Sequence, residues 1–223
     1  FYIEGGANVT IVAGCGIHNA GCDAARHDGI HAFHVGKGAT VTYAEKHYGE
    51  GEGTGETILN PVTQIYLEED AVFNLDTAQI GGVDSTVRKT EVTLAENAKL
   101  NVMEKLMTHD RQTAVSDMTV ELNGAGSTAR IVSRSVAKGT SVQTFHPIAV
   151  GNALCHAHVQ CDSIIMDQGQ ISPSQESNAR NIGAQIIQEA AIGRINNDQI
   201  LKLRTFGLTE EEAEAVIIED FLA

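Results

Sequence analysis

The sequence predicts an all-β solenoid, a parallel β-helix, that is followed by a short pair of α-helices. A short phrase recurs along the chain at intervals of 27 to 32 residues, and apolar residues within it alternate with polar ones. Aromatic residues make up only 4% of the 223 residues and tryptophan is absent, whereas Gly occurs 22 times. Thin, repeated β layers with frequent turns accommodate such a composition better than a bulky globular core does.

The recurring phrase is a small residue followed by apolar residues at alternate positions, and a turn rich in Gly or acidic residues precedes it. Its small residues are spaced 32, 32, 27 and 29 residues apart and are Ala7, Ala39, Ala71, Ala98 and Ser127. Regular spacing of this kind favours a solenoid in which each coil buries the inward face of its neighbour. A sandwich of antiparallel hairpins also shows regular strands and turns, so the pattern leaves that alternative open.

Further strands are indicated before several of these turns. Residues 63–67, 92–94 and 118–122 alternate apolar and polar side chains with the period of two that is typical of β-strands. No stripe at the three- and four-residue spacing of a helix occurs before about Asn196. The sequence therefore divides into a β-helix core over 1–195 and a helical segment over 196–223.

The helical segment carries start and stop signals for two helices. The first is predicted from 197, after capping residues, to Gly207, because glycine commonly ends a helix. In the second, Thr209 and Glu212 form a capping box, and apolar residues follow at helical spacing. Their apolar faces can pack on the β-helix or present a groove to another protein, and the sequence leaves both open.

Charge and composition exclude several classes of function. The formal net charge of −14 opposes binding to nucleic acid, which depends on Lys and Arg. No stretch approaches the roughly 20 apolar residues of a membrane helix, and the first residues lack the features of a signal peptide, so we expect a cytoplasmic protein with no membrane partner. Phosphate-loop and Gly-x-Ser-x-Gly motifs are both absent, and we expect no enzymatic activity.

The densest group of metal-binding residue types lies at Cys155, His156, His158 and Cys161. Thiolates and imidazoles suit zinc, copper and iron-sulfur clusters, but five residues separate the two cysteines and no Cys-x-x-Cys pair occurs. On a strand, both histidines point to the face opposite Cys161. Cys161 faces the core if Ile165 does, and the outside if Ile164 and Met166 are inward.

A second group begins at Cys15 and includes the residues listed here: His18, Cys22, His27, His31 and His34. The simplest interpretation is a loop from Gly14 to Gly29 with exposed histidines. A metal-linked or sulfur-handling role for Cys15 is the functional alternative.

Three phrases give the chain a resemblance to a known family. They are Gln160-Cys161-Asp162-Ser163, the segment 188–199 (QEAAIGRINNDQ), and the segment 207–213 (GLTEEEA). In this order they resemble the C-terminal half of the SufB/SufD family, scaffold subunits of the SUF machinery for iron-sulfur cluster assembly. Residues 30–41 also resemble the core of that family, so the resemblance covers nearly the whole chain.

The resemblance implies a right-handed parallel β-helix and two kinds of partner. The C-terminal helices of the family bind SufC, an ABC-type ATPase, and a homodimer is implied through the last β-helix strands. This favours a partner-binding role for the helical segment, with the candidate contact residues Leu201, Leu203, Phe206, Val216, Ile217 and Phe221.

The resemblance also implies that Cys161 and Glu189 assemble a transient iron-sulfur cluster, with His156, His158 and Cys155 as further candidate ligands. Cys15 is the candidate sulfur acceptor. The chain departs from the family at Gln188, where a histidine is usual, and this keeps a SufD-like structural subunit without its own cluster as an alternative. A β-helix carbohydrate-active enzyme is a rival of another class, although aromatic residues are scarce.

Overall fold

The computed structural model describes all residues from Phe1 to Ala223 and confirms the parallel β-helix. In chain order its strands are β1 (Tyr2–Ile3), β2 (Asn8–His18), β3 (Ala25–Val35), β4 (Thr40–Glu50), β5 (Thr57–Leu67), β6 (Val72–Gln79), β7 (Ser85–Leu94), β8 (Lys99–Thr108), β9 (Thr113–Leu122), β10 (Thr128–Ala137), β11 (Val142–Gly151), β12 (His156–Ile165), β13 (Gln170–Pro173), β14 (Glu176–Ala179) and β15 (Gln185–Gly193). Two helices follow, α1 (Asn197–Thr205) and α2 (Glu210–Leu222).

The strands form two facing parallel sheets. Sheet A has the order β1-β3-β5-β7-β9-β11-β13, with β14 also paired to β11, and sheet B has the order β15-β12-β10-β8-β6-β4-β2. The chain passes from one sheet to the other at every strand from β2 to β13, so one strand of each sheet makes one coil. The parallel pairing between coils excludes the antiparallel sandwich.

The core lies between the two sheets, and its main cluster has 27 buried residues. Alternate side chains of each strand point into it, and the same position of the next coil continues the row, as Val41, Phe73 and Leu100 do on sheet B. Burial of these rows supplies the main driving force for stacking one coil on the next.

The recurring phrase marks the corners where the chain passes from sheet A to sheet B. Four of its small residues, Ala39, Ala71, Ala98 and Ser127, are completely buried. The residue before each small residue has a positive φ, and these residues are Gly6, Gly38, Asp70, Asn97 and Gly126, with φ between 53° and 73°. Gly, Asp and Asn are the residues that tolerate this conformation, which explains the turn composition of the repeat.

The corners from sheet B to sheet A are longer in the first coils, and here one expectation is wrong. Only residues 19–24 connect β2 to β3, because residues 14–18 continue β2 and residues 25–29 begin β3. Cys15 and Ile17 keep the inward alternation of β2, and the backbone pairs with β4 as far as His18. The predicted loop from Gly14 to Gly29 is therefore mostly β-strand.

The C-terminal helices begin and end close to where the capping signals predict. Thr209 and Glu212 form the reciprocal capping box of α2, and Gly207 follows α1 with φ 98°. Helix α2 packs against the β-helix, where Ile218 and Leu222 form a small buried cluster with Val136 of β10 and with Met166. Helix α1 buries none of its residues. Neither helix is long and apolar enough to cross a membrane.

The positive φ at Gly38 gives a direct test of the corner geometry. A Cβ at Gly38 meets no atom within 4 Å, so Gly38→Ala adds only backbone strain. We expect it to lower the free energy of unfolding by about 1 to 2 kcal/mol, measured by urea denaturation followed by circular dichroism.

The matched control is Gly81→Ala, which also has free space around the added methyl group but an ordinary φ. We expect it to change stability by less than about 1 kcal/mol. Equal effects of the two substitutions would contradict the assignment of strain to the Gly38 turn.

Candidate functional site

One inward row of sheet B is polar along most of its length. Paired positions of successive strands carry Glu45, Thr77, Glu104, Ser133 and Cys161. All five are buried, although the preceding inward row of the same strands is apolar. We call this set the polar row. It spans four strand spacings of about 4.8 Å each, or about 19 Å.

The first end of the polar row is a cluster of hydrogen-bonding groups around Glu45, whose carboxylate is almost completely buried. Its Oε1 accepts a hydrogen bond of 2.9 Å from the Tyr43 hydroxyl, and the Cys15 thiol donates to the same atom at 3.6 Å. Nitrogen atoms of His31 and His47 lie 3.0 and 3.2 Å from it. A buried carboxylate needs such partners, because an unpaired buried charge is costly.

Arg88 enters the cluster from sheet A. Its guanidinium donates hydrogen bonds to Thr77 Oγ1 and, at 2.9 Å, to His47 Nδ1. Since a guanidinium only donates, His47 Nδ1 is the accepting nitrogen and the neutral ring carries its proton on Nε2. The Nε2 atom is buried and its contact with Glu45 lacks the alignment of a hydrogen bond, so it has no hydrogen-bond partner.

The environment controls the charges of this cluster. Burial acts to raise the pKa of Glu45, but the contacts from His47 and Tyr43 outweigh it and lower the pKa to about 2. Burial and the negative charge of Glu45 raise the pKa of the Cys15 thiol. Burial lowers the pKa of His47, and the cation of Arg88 acts in the same direction. At neutral pH the cluster therefore holds a carboxylate, a neutral imidazole and a protonated thiol.

The other end of the polar row is Cys161 on β12. It is completely buried and lies between Ser133 on β10 and Ala190 on β15. Its sulfur is 3.6 Å from Ser163 Oγ, and burial raises the pKa of its thiol. Of the two registers that the sequence allowed for Cys161, the structure has the one in which the thiol faces the core.

Glu189 lies on the opposite face from Cys161. It pairs with Gln160 on β12, and its carboxylate meets His158 Nε2 at 2.9 Å on the outside of sheet B. His156 also points outward and is exposed. The structure therefore does not bring Cys161 and Glu189 together within one chain, because they occupy adjacent register positions and strands alternate their faces.

Gln188, the departure from the family pattern, occupies the inward row of β15 beside Val159. Its amide donates to the carbonyl of Glu176 on β14 at 2.9 Å. The remaining cysteines lie apart from both ends of the polar row. Cys155 is buried at a corner, where burial raises the pKa of its thiol, and Cys22 is exposed in the loop after β2.

The candidate partner-binding residues on the helices fall into an exposed group and a partly buried group. Leu201, Phe206 and Val216 are exposed, with 55%, 76% and 44% of their surface accessible. Phe221 packs against the cluster that holds α2 on the β-helix, and Arg134 donates a hydrogen bond to its carbonyl. Leu203 and Ile217 are partly buried. Three of the six candidates are therefore on the surface of the chain, and the other three are partly buried.

Sequence reasoning missed Glu45, His47 and Arg88, although a signal was present for the first two. In β4, Val41, Tyr43, Glu45 and His47 occupy alternate positions and therefore share one face. The burial of Val41 and Tyr43 places the charged pair inward with them. Arg88 gave no such signal, since its role depends on contact between the two sheets.

Comparison with known proteins identifies the family. Residues 2–221 match the family model described as "SUF system FeS cluster assembly, SufBD core domain". The chain belongs to the SufBD family. One similar protein is an iron-sulfur cluster assembly SufBD family protein of Methanothermobacter thermautotrophicus (strain Delta H), which is 27% identical over 99% of this chain and 53% of its own length. Another, from Archaeoglobus fulgidus, is 27% identical over 98% of this chain and 58% of its own length. A SufBD family protein from Pyrococcus horikoshii is 28% identical over 88% of this chain and 60% of its own length. The chain thus spans about half to three fifths of these SufBD relatives.

The placement of the four thiols predicts their order of reaction in the folded protein. We expect iodoacetamide to modify exposed Cys22 first, Cys15 more slowly, and Cys155 and Cys161 only when the protein opens, because the thiolate is the nucleophile and burial suppresses it. Peptide mass spectrometry of a time course measures this order. Unfolding in urea is the control and equalises the four rates, and rapid labelling of Cys161 in the native protein is incompatible with its inward position.

Proposed function

We propose that the chain is a non-catalytic, cytoplasmic scaffold on which a transient iron-sulfur cluster is assembled. The observation that carries the proposal is the polar row, which links the cluster of Cys15 and Glu45 to the thiol of Cys161 through the interior of a SufBD-family β-helix. Thiolates are the usual ligands of iron-sulfur clusters. We infer that the Cys15 thiolate accepts sulfane sulfur from a donor persulfide, whose thiolate leaves, and that Cys161 is a thiolate ligand of the cluster during assembly.

The position of Cys161 supports a site at the end of the solenoid. Beyond it on sheet B lies only β15, which contributes the small side chain of Ala190 at the paired position. Glu189 and His158 lie on the outer side of the same edge. An assembly site that uses both faces has to form at the rim of β15, where inward and outward groups can meet a second chain.

The free edge of β15 supports a homodimer as that second chain. An edge strand presents unpaired backbone groups that pair readily with another strand. Glu189 is its only charged residue, and its Ile187 and Ile192 are exposed. Both features are typical of an edge that is covered by a partner rather than protected from one.

The exposed residues Leu201, Phe206 and Val216 support a second partner, a SufC-like ABC ATPase. Large apolar side chains that are exposed on a helical pair favour docking of a protein. We propose that nucleotide-driven movement of this ATPase opens and closes the β-helix edge, since the chain itself has no phosphate-binding loop.

A SufD-like structural subunit is the second candidate function, and Gln188 favours it. An amide at this inward position is a weaker metal ligand than the histidine that is usual in the family, and here it is engaged by a backbone carbonyl. Such a subunit would bind its partners equally well but hold no cluster of its own.

Anaerobic reconstitution with iron and sulfide separates these two candidates. For the scaffold we expect visible charge-transfer absorption in the parent protein and its loss in Cys161→Ser. The serine is nearly isosteric and retains contact with Ser163, so the fold should persist. Cys22→Ser, which removes an exposed thiol, is the matched control and should leave the absorption unchanged. Absence of a cluster in the parent protein supports the SufD-like role, and unchanged yield in Cys161→Ser contradicts the site.

Phe206 provides the test of the ATPase surface. We expect Phe206→Ala to weaken binding of a SufC-like ATPase by about tenfold or more, because an exposed aromatic residue at an interface centre commonly contributes over about 1 kcal/mol. Isothermal titration calorimetry measures the affinity. Ile30→Ala is the control, since Ile30 is an equally exposed apolar residue on the outer face of β3. Equal affinities of the parent and Phe206→Ala would exclude this surface.

A further inference from the structure

Three potential metal ligands converge at the first end of the polar row. They are the Cys15 sulfur, a carboxylate oxygen of Glu45 and a ring nitrogen of His47, and these atoms all lie within 4.8 Å of one another. The sulfur is 3.6 Å from Glu45 Oε1, and His47 Nε2 is 3.2 Å from the same oxygen. The three come from two adjacent strands, because Cys15 on β2 pairs with His47 on β4.

The two distances to Glu45 Oε1 match those between ligands around one tetrahedral ion, and the Cys15 sulfur and the His47 nitrogen lie within 4.8 Å of each other. Bonds of about 2.3 Å to sulfur and about 2.0 Å to nitrogen or oxygen place such ligands about 3.3 to 3.5 Å apart. The distances to Glu45 Oε1 differ from this by a few tenths of an ångström. Coordination of a common ion requires the Cys15 sulfur and the His47 nitrogen to lie about 3.5 Å apart as well.

The unpartnered nitrogen of His47 is independent evidence for a ligand. The side chain is fully buried, yet Nε2 has no hydrogen-bond partner and faces Glu45. Leaving a buried polar atom unpaired costs about 1 to 3 kcal/mol. A bound ion gives Nε2 the partner that the surrounding protein groups do not, provided that the ring proton moves to Nδ1.

We propose that Cys15, Glu45 and His47 bind a divalent transition-metal ion with a fourth position left for water or sulfur. A thiolate, a carboxylate and an imidazole suit borderline ions such as ferrous iron, cobalt and zinc better than magnesium or calcium. The identity of the ion as ferrous iron in transit rests on the proposed function. The metal site itself rests on the three side chains.

Binding moves two protons. The Cys15 thiol releases its proton to solvent as the sulfur–metal bond forms, which neutralises the repulsion between thiolate and Glu45. The ring proton of His47 shifts from Nε2 to Nδ1, so Arg88 must turn away from Nδ1 while it retains Thr77. Loss of the hydrogen bond from Arg88 to His47 and the nearby positive charge of Arg88 both lower the affinity of the site for a metal ion. Weak binding suits an ion that is delivered and then passed on.

Cobalt(II), added anaerobically to the full chain without sulfide, is the probe. We expect thiolate-to-cobalt charge-transfer absorption with Cys15 as the source, lost in Cys15→Ser and weakened at least tenfold in affinity in Glu45→Gln and His47→Gln. Cys22→Ser is the matched control, because it removes a thiol that has no role in either proposed site. We expect it to retain the absorption and the affinity.

Arg88→Gln distinguishes a metal site from a structural cluster. The glutamine carbonyl can accept from Nδ1–H, the arrangement typical of metal-bound histidine, so we expect cobalt to bind about tenfold more tightly. A purely structural cluster predicts lower stability in this variant with no gain in affinity. Zinc protection of Cys15 against iodoacetamide in the parent protein, with Cys22 unprotected, gives a test that needs no variant.

Absence of thiolate-to-cobalt absorption in the parent protein, or its persistence in Cys15→Ser, overturns the proposal. Neither result depends on sulfide or on Cys161, so the metal site can fail while cluster reconstitution succeeds. The reverse outcome, cobalt binding without reconstitution, retains the metal site and rejects the scaffold.

Discussion

The register between coils is the constraint on which the rest of the structure depends. Each strand pairs in parallel with a strand of the next coil, so every inward side chain has a neighbour at the same position one strand spacing away. A polar residue placed inward therefore has to find partners in adjacent coils or in the facing sheet. Glu45 finds them in Tyr43, Cys15 and His31, and Glu104 accepts a 2.9 Å hydrogen bond from Ser116 across the interior.

Burying the side chains of the polar row costs free energy of folding. Two buried carboxylates occupy positions where apolar residues would stack without penalty, as they do one inward row earlier on the same strands, and the buried guanidinium of Arg88 reaches the row from the facing sheet. Buried ionic groups contribute little net stability even when they are well paired. Their concentration along one line, with a cysteine near each end, is therefore better explained by chemistry in the interior than by stability.

The sequence predicts the solenoid because the fold repeats. Period-two alternation, small residues at corners and residues suited to positive φ recur in the first five coils, so each copy reinforces the others, and the capping box at Thr209 is equally local. Arg88 and the facing of Cys161 could not be predicted in this way. The role of Arg88 depends on contact with His47, 41 residues earlier in the chain. The facing of Cys161 depends on a register that Ile164 and Ile165 leave ambiguous.

The alternation of strands also decides what a single chain can assemble. Cys161 pairs with Ala190, and Glu189 is the preceding residue on β15, so the thiol points inward and the carboxylate outward. No side-chain rotation unites them while the strand persists, since the sheet itself lies between the two groups. Ligands on the two faces of an edge strand can share an ion only at the rim, where the sheet ends and a second surface closes over it. Cys161 and Glu189 are offset by one register position on adjacent strands, and this offset favours a site that is completed between chains. The edge of β15 is where such a site can form.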